Sequence, residues 1–208
     1  MPYIGYDPGG AGAFGWCVVH GASLPLQVLA RGLADNAQEA VTQSLAAIKG
    51  GEVLAAGIDA PLFWRPDGDR VVDRVVRENL KGLGGQVGTV NHVNSLRGAC
   101  LVQGMVAAIL LRGHRPNLPV SESHPKAMLW LLKIAQARDS VDVISFANLQ
   151  AFFAGSTNGA SNHERDAALG ALCAWAMLNQ PQGWQNLHLQ ELNPVSPLTA
   201  PLGYWMPI

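Results

Sequence analysis

Three short apolar segments of this chain end alike, and that pattern narrows its fold more than any other feature. Ile4 to Asp7 runs into Pro8-Gly9-Gly10, Val53 to Ile58 runs into Asp59-Ala60-Pro61, and Leu118 to Glu122 runs into Ser123-His124-Pro125. Each pairs a buried-strand pattern with a carboxylate and then a residue that stops the strand. If the three strands lie parallel, the acids share the C-terminal edge of one sheet. That edge is where open α/β sheets place ligands.

The rest of the chain fits an α/β class. Phe14, Trp16, Cys17, Val18 and Val19 suit a second strand, and Leu26 to Arg31 a third; turns this short between them make an antiparallel meander. Asp35, with Gln38 three residues on, reads as the N-cap of a helix carrying Val41, Leu45 and Ile48 and stopped by Gly50-Gly51. Further helices are expected over Asp69–Leu80, Ser95–Leu111, Val141–Phe153 and His163–Leu178. Pro125 marks the first turn of another. From about residue 180, five prolines predict an irregular tail. With no internal repeat, the 208 residues are expected to form a single domain.

A fourth acid joins the three. Ser161 and Glu164 form a capping box that starts the last long helix near Asn162. Asp166 then shares a small, apolar face with Gly170, Cys173 and Met177 and sits at its N-terminal end, while Glu164 points away. Clustered carboxylates resist ionisation unless a cation joins them. Oxygen donors suit Mg²⁺ or Mn²⁺, and two such ions activate a water and steady the leaving oxygen in phosphodiester hydrolysis. Taken singly, each acid also has a local use, at a turn or a helix start.

Composition excludes several classes. The formal net charge is −1 with 14% charged residues, so the surface is not uniformly basic. The charge is graded: residues 1–60 carry −3, residues 61–138 carry +6, and residues 139–208 carry −4. A basic middle between acidic ends suits an anionic partner held near a few acids. Cys17, Cys100 and Cys173 have neither disulfide nor zinc-knuckle spacing, which points to a reducing cytoplasm. The start, Met1-Pro2-Tyr3, lacks signal-peptide character, and the longest apolar run, Leu101–Leu111, is too short to span a bilayer, so no membrane role is expected.

Four segments resemble a known family: Ile4-Gly5-Tyr6-Asp7-Pro8-Gly9-Gly10-Ala11-Gly12 with Trp16, Gly57-Ile58-Asp59-Ala60-Pro61-Leu62, Glu122-Ser123-His124-Pro125, and His163-Glu164-Arg165-Asp166-Ala167-Ala168. They are similar to domain of unknown function 429, a family of predicted ribonuclease H-like nucleases. Arg70, Asp73 and Arg77 sit where that family has an arginine-rich helix, and Gly203-Tyr204-Trp205-Met206-Pro207 resembles its closing segment. The resemblance implies a three-layer ribonuclease H-like fold, with a mixed five-stranded sheet in order 3-2-1-4-5 and helices on both faces. It also implies a nuclease, of unknown substrate.

The expected site therefore has Asp7, Asp59, Glu122 and Asp166 as catalytic acids. Asp7, Asp59 and Asp166 would hold the metal, and Glu122 would assist. Arg65, Arg70 and Arg97 are the nearest basic groups for a phosphate of nucleic acid or another phosphate-containing substrate. His124 and His163 adjoin candidate ligands and could orient water, shuttle a proton, or serve only as helix-terminus residues. Arg70, Arg74 and Arg77 form either a phosphate-facing stripe or a salt-bridged solvated face. Trp16, Trp64, Trp130 and Trp175 read as core residues, and Trp64, just after Asp59-Ala60-Pro61, could instead stack on a base. Two other functions stay open. One is nucleotide or phosphometabolite binding of the actin-like ATPase type on the Gly9–Gly12 loop, which would need a half-site or a dimer. The other is a non-catalytic binding protein on the same fold.

Overall fold

The computed structural model describes residues 2–63, 70–90, 98–136, 140–155, 159–192, 194, 196–199 and 201–208. β1 (Pro2–Asp7), β2 (Phe14–His20) and β3 (Leu26–Ala34) form the expected antiparallel meander. α1 (Ala37–Ala47) then crosses to β4 (Ala55–Ile58), which lies parallel to β1. α2 (Val71–Gly82) and α3 (Gly98–His114) precede β5 (Val120–Glu122), parallel to β4. α4 (Pro125–Leu131), β6 (Phe153–Ala154), α5 (Asn162–Asn179), β7 (Trp184–Asn186) and β8 (Leu202–Pro207) complete the chain.

The sheet has eight strands among the described residues, in the order β6-β3-β2-β1-β4-β5-β8-β7. The expected order 3-2-1-4-5 lies at its centre, and five strands was an undercount. Two errors caused it. The expected helix over 141–153 is instead two 3₁₀ turns, Val141–Val143 and Phe146–Leu149, followed by β6 alongside β3. β-branched and aromatic residues there lose rotamer freedom in a helix. The tail is not wholly irregular either: β8 pairs in parallel with β5 and buries Tyr204 and Met206, and β7 pairs with β8. Its prolines delimit these strands rather than forbid them; Pro201 and Pro207 lie just before and at the end of β8.

Alternation in the strands sends side chains to two cores. Tyr3, Cys17, Val19 and Ala55 pack with α2, α4 and α5, while Ile4, Tyr6, Trp16, Val18 and Ile58 pack with α1 and α3. The cap of α1 is Asn36, not Asp35: its side chain accepts from the Glu39 N–H at 2.9 Å. Asp35 instead accepts from the Gly12 N–H at 2.8 Å and braces the first turn. That amide, part of the proposed phosphate-cradling loop, is thus already used. The expected starts of α2 and α3, at Asp69 and Ser95, fall outside the described residues. No helix among the described residues is long and apolar enough to cross a membrane.

One packing contact sets the layout. α5 crosses β2, β1 and β4 at glycines. A Cβ on Gly5 would overlap the Ala167 carbonyl, one on Gly57 the Gly170 carbonyl, and one on Gly15 the His163 carbonyl. Only glycine lets the helix backbone come so close. We expect Gly57→Ala to destabilise the protein by about 3 kcal/mol, because neither backbone can yield. Gly113→Ala, in open space on α3, should be neutral or up to about 1 kcal/mol stabilising. Urea unfolding midpoints compare the two.

Candidate functional site

Asp7 is the last residue of β1, Asp59 directly follows β4, and Glu122 is the last residue of β5. The parallel register pairs Tyr6 with Ile58 and Ile58 with Glu122, and the Asp59 N–H donates to the Tyr6 carbonyl at 2.9 Å. The three acids therefore do reach one edge. α5 adds Asp166: its capping box forms as expected, with the Glu164 N–H on Ser161 Oγ at 3.2 Å and the Ser161 N–H on Glu164 Oε2 at 2.8 Å. Glu164 faces away and pairs with Arg31 of β3.

The four acids meet two fates. Asp7, Asp59 and Asp166 line one solvent-open cavity of about 360 Å³, with Lys126, Asp142, Asn162 and His163. Glu122 does not. Its carboxylate accepts from Arg70 Nη2 at 2.6 Å, from Arg70 Nη1 at 2.8 Å and from the Leu62 N–H at 2.9 Å. Arg70 is 2% exposed; it also donates to Asp73 from Nε and Nη2, at 2.7 Å each, and to the Phe63 carbonyl at 2.9 Å. All five guanidinium N–H groups are thus used. Burial works against the charge on Arg70, but Glu122 and Asp73 overcome it and hold the guanidinium well above its ordinary pKa. In this structure the expected assisting acid Glu122 and the expected phosphate-binding Arg70 are bonded to each other.

Burial still raises Glu122 to about 7 in spite of Arg70. Of the other acids, Asp166 pairs with Arg165 and Asp7 with His163, while Asp59 has no cation paired to it among the described residues. Burial raises the Asp59 carboxyl well above the ordinary range, and the charges of Asp7, Asp166 and Glu122 add to the effect. Burial lifts Asp166 to about 6, against the opposing hydrogen bond from Arg165. Arg165 is fully buried; its Nε donates to Asp166 Oδ1 at 2.7 Å, and its Nη1 binds the Val141 and Ile144 carbonyls. It thus fixes Asp166 and the 3₁₀ turn at the cavity rim together.

The two histidines differ. His163 Nδ1 lies 2.7 Å from Asp7 Oδ2, the ring is half exposed, and that hydrogen bond raises its pKa. Burial lowers His124 to about 4, so it is neutral near pH 7; its Nδ1 has no partner. His124 does not line the cavity of Asp7 and Asp166. It borders a smaller pocket, about 120 Å³, with Ser123, Cys100, Arg70 and Asp59. Arg65, Arg97 and Trp64 lie outside the described residues. Arg70 is buried while Arg74 is exposed, so no phosphate-facing stripe runs along α2.

Sequence reasoning passed over Lys126, Asp142, Asn162 and Arg165. Lys126 had a signal, since it sits one residue beyond the Glu122-Ser123-His124-Pro125 segment. Asp142 had none, because its place depends on a turn read as helix. As a donor set, three carboxylates and one imidazole suit a hard divalent cation. Among the described residues, however, no group of three or more His, Cys, Asp or Glu side chains stands as a ready metal cage.

No protein-family model matches the chain, so its likeness to domain of unknown function 429 rests on the four segments alone. No curated protein matches either. Among solved structures the chain is similar to T. thermophilus RuvC in complex with Holliday junction substrate, at 17% identity and a TM-score of 0.44, covering 86% of this chain and 95% of that one. A likeness this distant says nothing about activity.

Two measurements probe the charges. Arg70→Met leaves Glu122 and Asp73 buried without their partner and should cost about 3–5 kcal/mol; adding Glu122→Gln should recover part of it. Asp166 is raised in the folded state, so its ionisation opposes folding. Relative to Asp166→Asn, the metal-free protein should lose stability as pH rises from about 4 to about 6 and level off above, by roughly 3 kcal/mol at most. Denaturant titrations across pH measure this difference.

Proposed function

We propose that this chain is a divalent-metal-dependent hydrolase of nucleic-acid phosphodiesters on a ribonuclease H-like domain. The observation that carries the reading is the shared cavity of Asp7, Asp59 and Asp166. These carboxylates come from two parallel strand ends and a helix; burial and the charges of Asp7, Asp166 and Glu122 raise the Asp59 carboxyl, and burial raises Asp166 in spite of Arg165. Structural acids are normally neutralised by a fixed partner, as Glu122 is by Arg70. Asp59, with no cation paired to it among the described residues and two further acids beside it in an open cavity, is better matched to a mobile cation.

Asp7, Asp59 and Asp166 would hold Mg²⁺ or Mn²⁺, and a cation bound there would supply an activated water and charge stabilisation for the leaving oxygen. The cage is not preassembled among the described residues. The protein's own contribution is orientation. Arg165 engages one oxygen of Asp166, and His163 engages one oxygen of Asp7. The Arg70–Glu122 pair holds the chain after Asp59 through the Leu62 amide and the Phe63 carbonyl. Glu122 thus supports the site without being part of it. Asp7, Asp59 and Asp166 together would repel a phosphate until cations enter.

Purified protein should cleave members of a panel of single-stranded and duplex DNA and RNA only with Mn²⁺ or Mg²⁺. Asp7→Asn and Asp59→Asn should each lower the rate by about 100-fold or more. Mn²⁺ should also stabilise the wild type against heat, by about 2.7 kcal/mol at 100 times its Kd, and leave Asp7→Asn nearly unmoved. Cleavage that survives Asp7→Asn, or no metal-dependent cleavage across the panel, would overturn the reading.

A further inference from the structure

The cavity that gathers the acids also holds one ammonium, and nothing so far accounts for it. Lys126 is the only Lys or Arg among the described residues lining that cavity. It projects from the first turn of α4, one residue after Pro125. Its charge is felt by Asp59, Asp166 and His163, whose ionisation it shifts, so it belongs electrostatically to the site. Its contact, however, is with Asp142, whose Oδ1 lies 3.3 Å from Lys126 Nζ.

That pair is built to come apart. Both side chains are open to solvent, at 46% and 63% exposure, and exposed pairs of this kind are weak. The backbone around Asp142 is held firmly. Asn162 Nδ2 donates to the Asp142 carbonyl at 3.0 Å, and Arg165 Nη1 grips the carbonyls of Val141 and Ile144 on either side. The turn therefore stays in place while the Asp142 carboxylate can swing away. A phosphate oxygen offers Lys126 the same kind of acceptor as Asp142 does, and a phosphodiester brings its own anionic charge.

We propose that Lys126 is the anchor for a backbone phosphate of the substrate, and that Asp142 occupies it until a phosphate displaces it. The proposal rests on the hydrolase reading for its substrate class but not for its test. Lys126 acts by binding, so its loss weakens the grip on nucleic acid and raises KM more than it lowers kcat. Asp142 acts through Lys126, so its effect requires the lysine.

The test measures anisotropy of a fluorescein-labelled single-stranded 20-mer and of its duplex, on the full chain, with Ca²⁺ in place of Mn²⁺ to hold binding apart from cleavage. Lys126→Ala should weaken binding about 5- to 10-fold and lower the slope of log Kd against log salt by about 1. Lys126→Arg should restore most of it. Asp142→Asn should tighten binding about 2- to 5-fold, and should have no effect in the Lys126→Ala background. Unchanged thermal midpoints show that the fold is intact in every variant. The anchor is overturned if Lys126→Ala binds like wild type, if Asp142→Asn tightens binding equally without Lys126, or if wild type binds neither probe. Lys126-dependent binding with no Mn²⁺-dependent cleavage leaves the anchor standing and removes the hydrolase. Cleavage that needs Asp7 but ignores Lys126 does the reverse.

Discussion

The close approach of α5 to the sheet is the contact on which the rest of the molecule depends. Gly5, Gly15 and Gly57 remove the side chains that would hold the helix at an ordinary distance. Gly170 is matched from the helix side, since a Cβ there would crowd the Gly57 carbonyl at 3.0 Å. With the backbones this near, the first turns of α5 reach the end of β1, and His163 meets Asp7 at 2.7 Å. A helix held a few ångströms further out would leave Asp166 and His163 facing solvent. The same contact buries most of α5, including Arg165, and so obliges Arg165 to find acceptors in Asp166 and the 3₁₀ turn.

Charge compensation divides one sheet edge into two regions. On the β5 side, Arg70 spends four of its N–H groups on Glu122 and Asp73 and the fifth on the Phe63 carbonyl, and stacks on Phe63 at 4.6 Å. The result is a buried, hydrogen-bonded strut under the chain that leaves Asp59. On the β1 side, Asp7, Asp59 and Asp166 line an open cavity with one ammonium, one imidazole and, on Asp166, the buried Arg165 guanidinium near them. The strut is a fixed structural element, whereas the open cavity holds charge that an added cation would relieve. Asp59 borders both regions, which is why the shape of its loop matters to each.

The basic middle of the sequence also takes on a different meaning in three dimensions. Several of its cations are committed to the fold: Arg70 to the strut, Arg112 to the Pro201 carbonyl and Arg115 to Glu52 and the Val53 carbonyl. The charge gradient is therefore a poor map of a substrate face, because position in sequence does not say which cations are already paired. Among the described residues, Lys126 is the cation of that segment that lines the cavity.

The sequence by itself determined the first five strands, the meander of the first three and, once β1, β4 and β5 run parallel, the arrival of Asp7, Asp59 and Glu122 at one edge. Those features follow from local rules of alternation, turn chemistry and capping, each readable within a few residues, as at Asp7-Pro8-Gly9 and Ser161–Glu164. The added strands β6 and β8 were not legible, because short or proline-flanked segments become strands only when an open edge is there to pair with. The fate of each acid was decided by tertiary structure alone. Glu122 and Asp59 look alike in sequence, each closing a buried strand before a proline. Only the return of Arg70, 52 residues from Glu122, neutralises one and leaves the other uncompensated. Neutralisation depends on which charge lies within about 3 Å in space, and no local pattern carries that information.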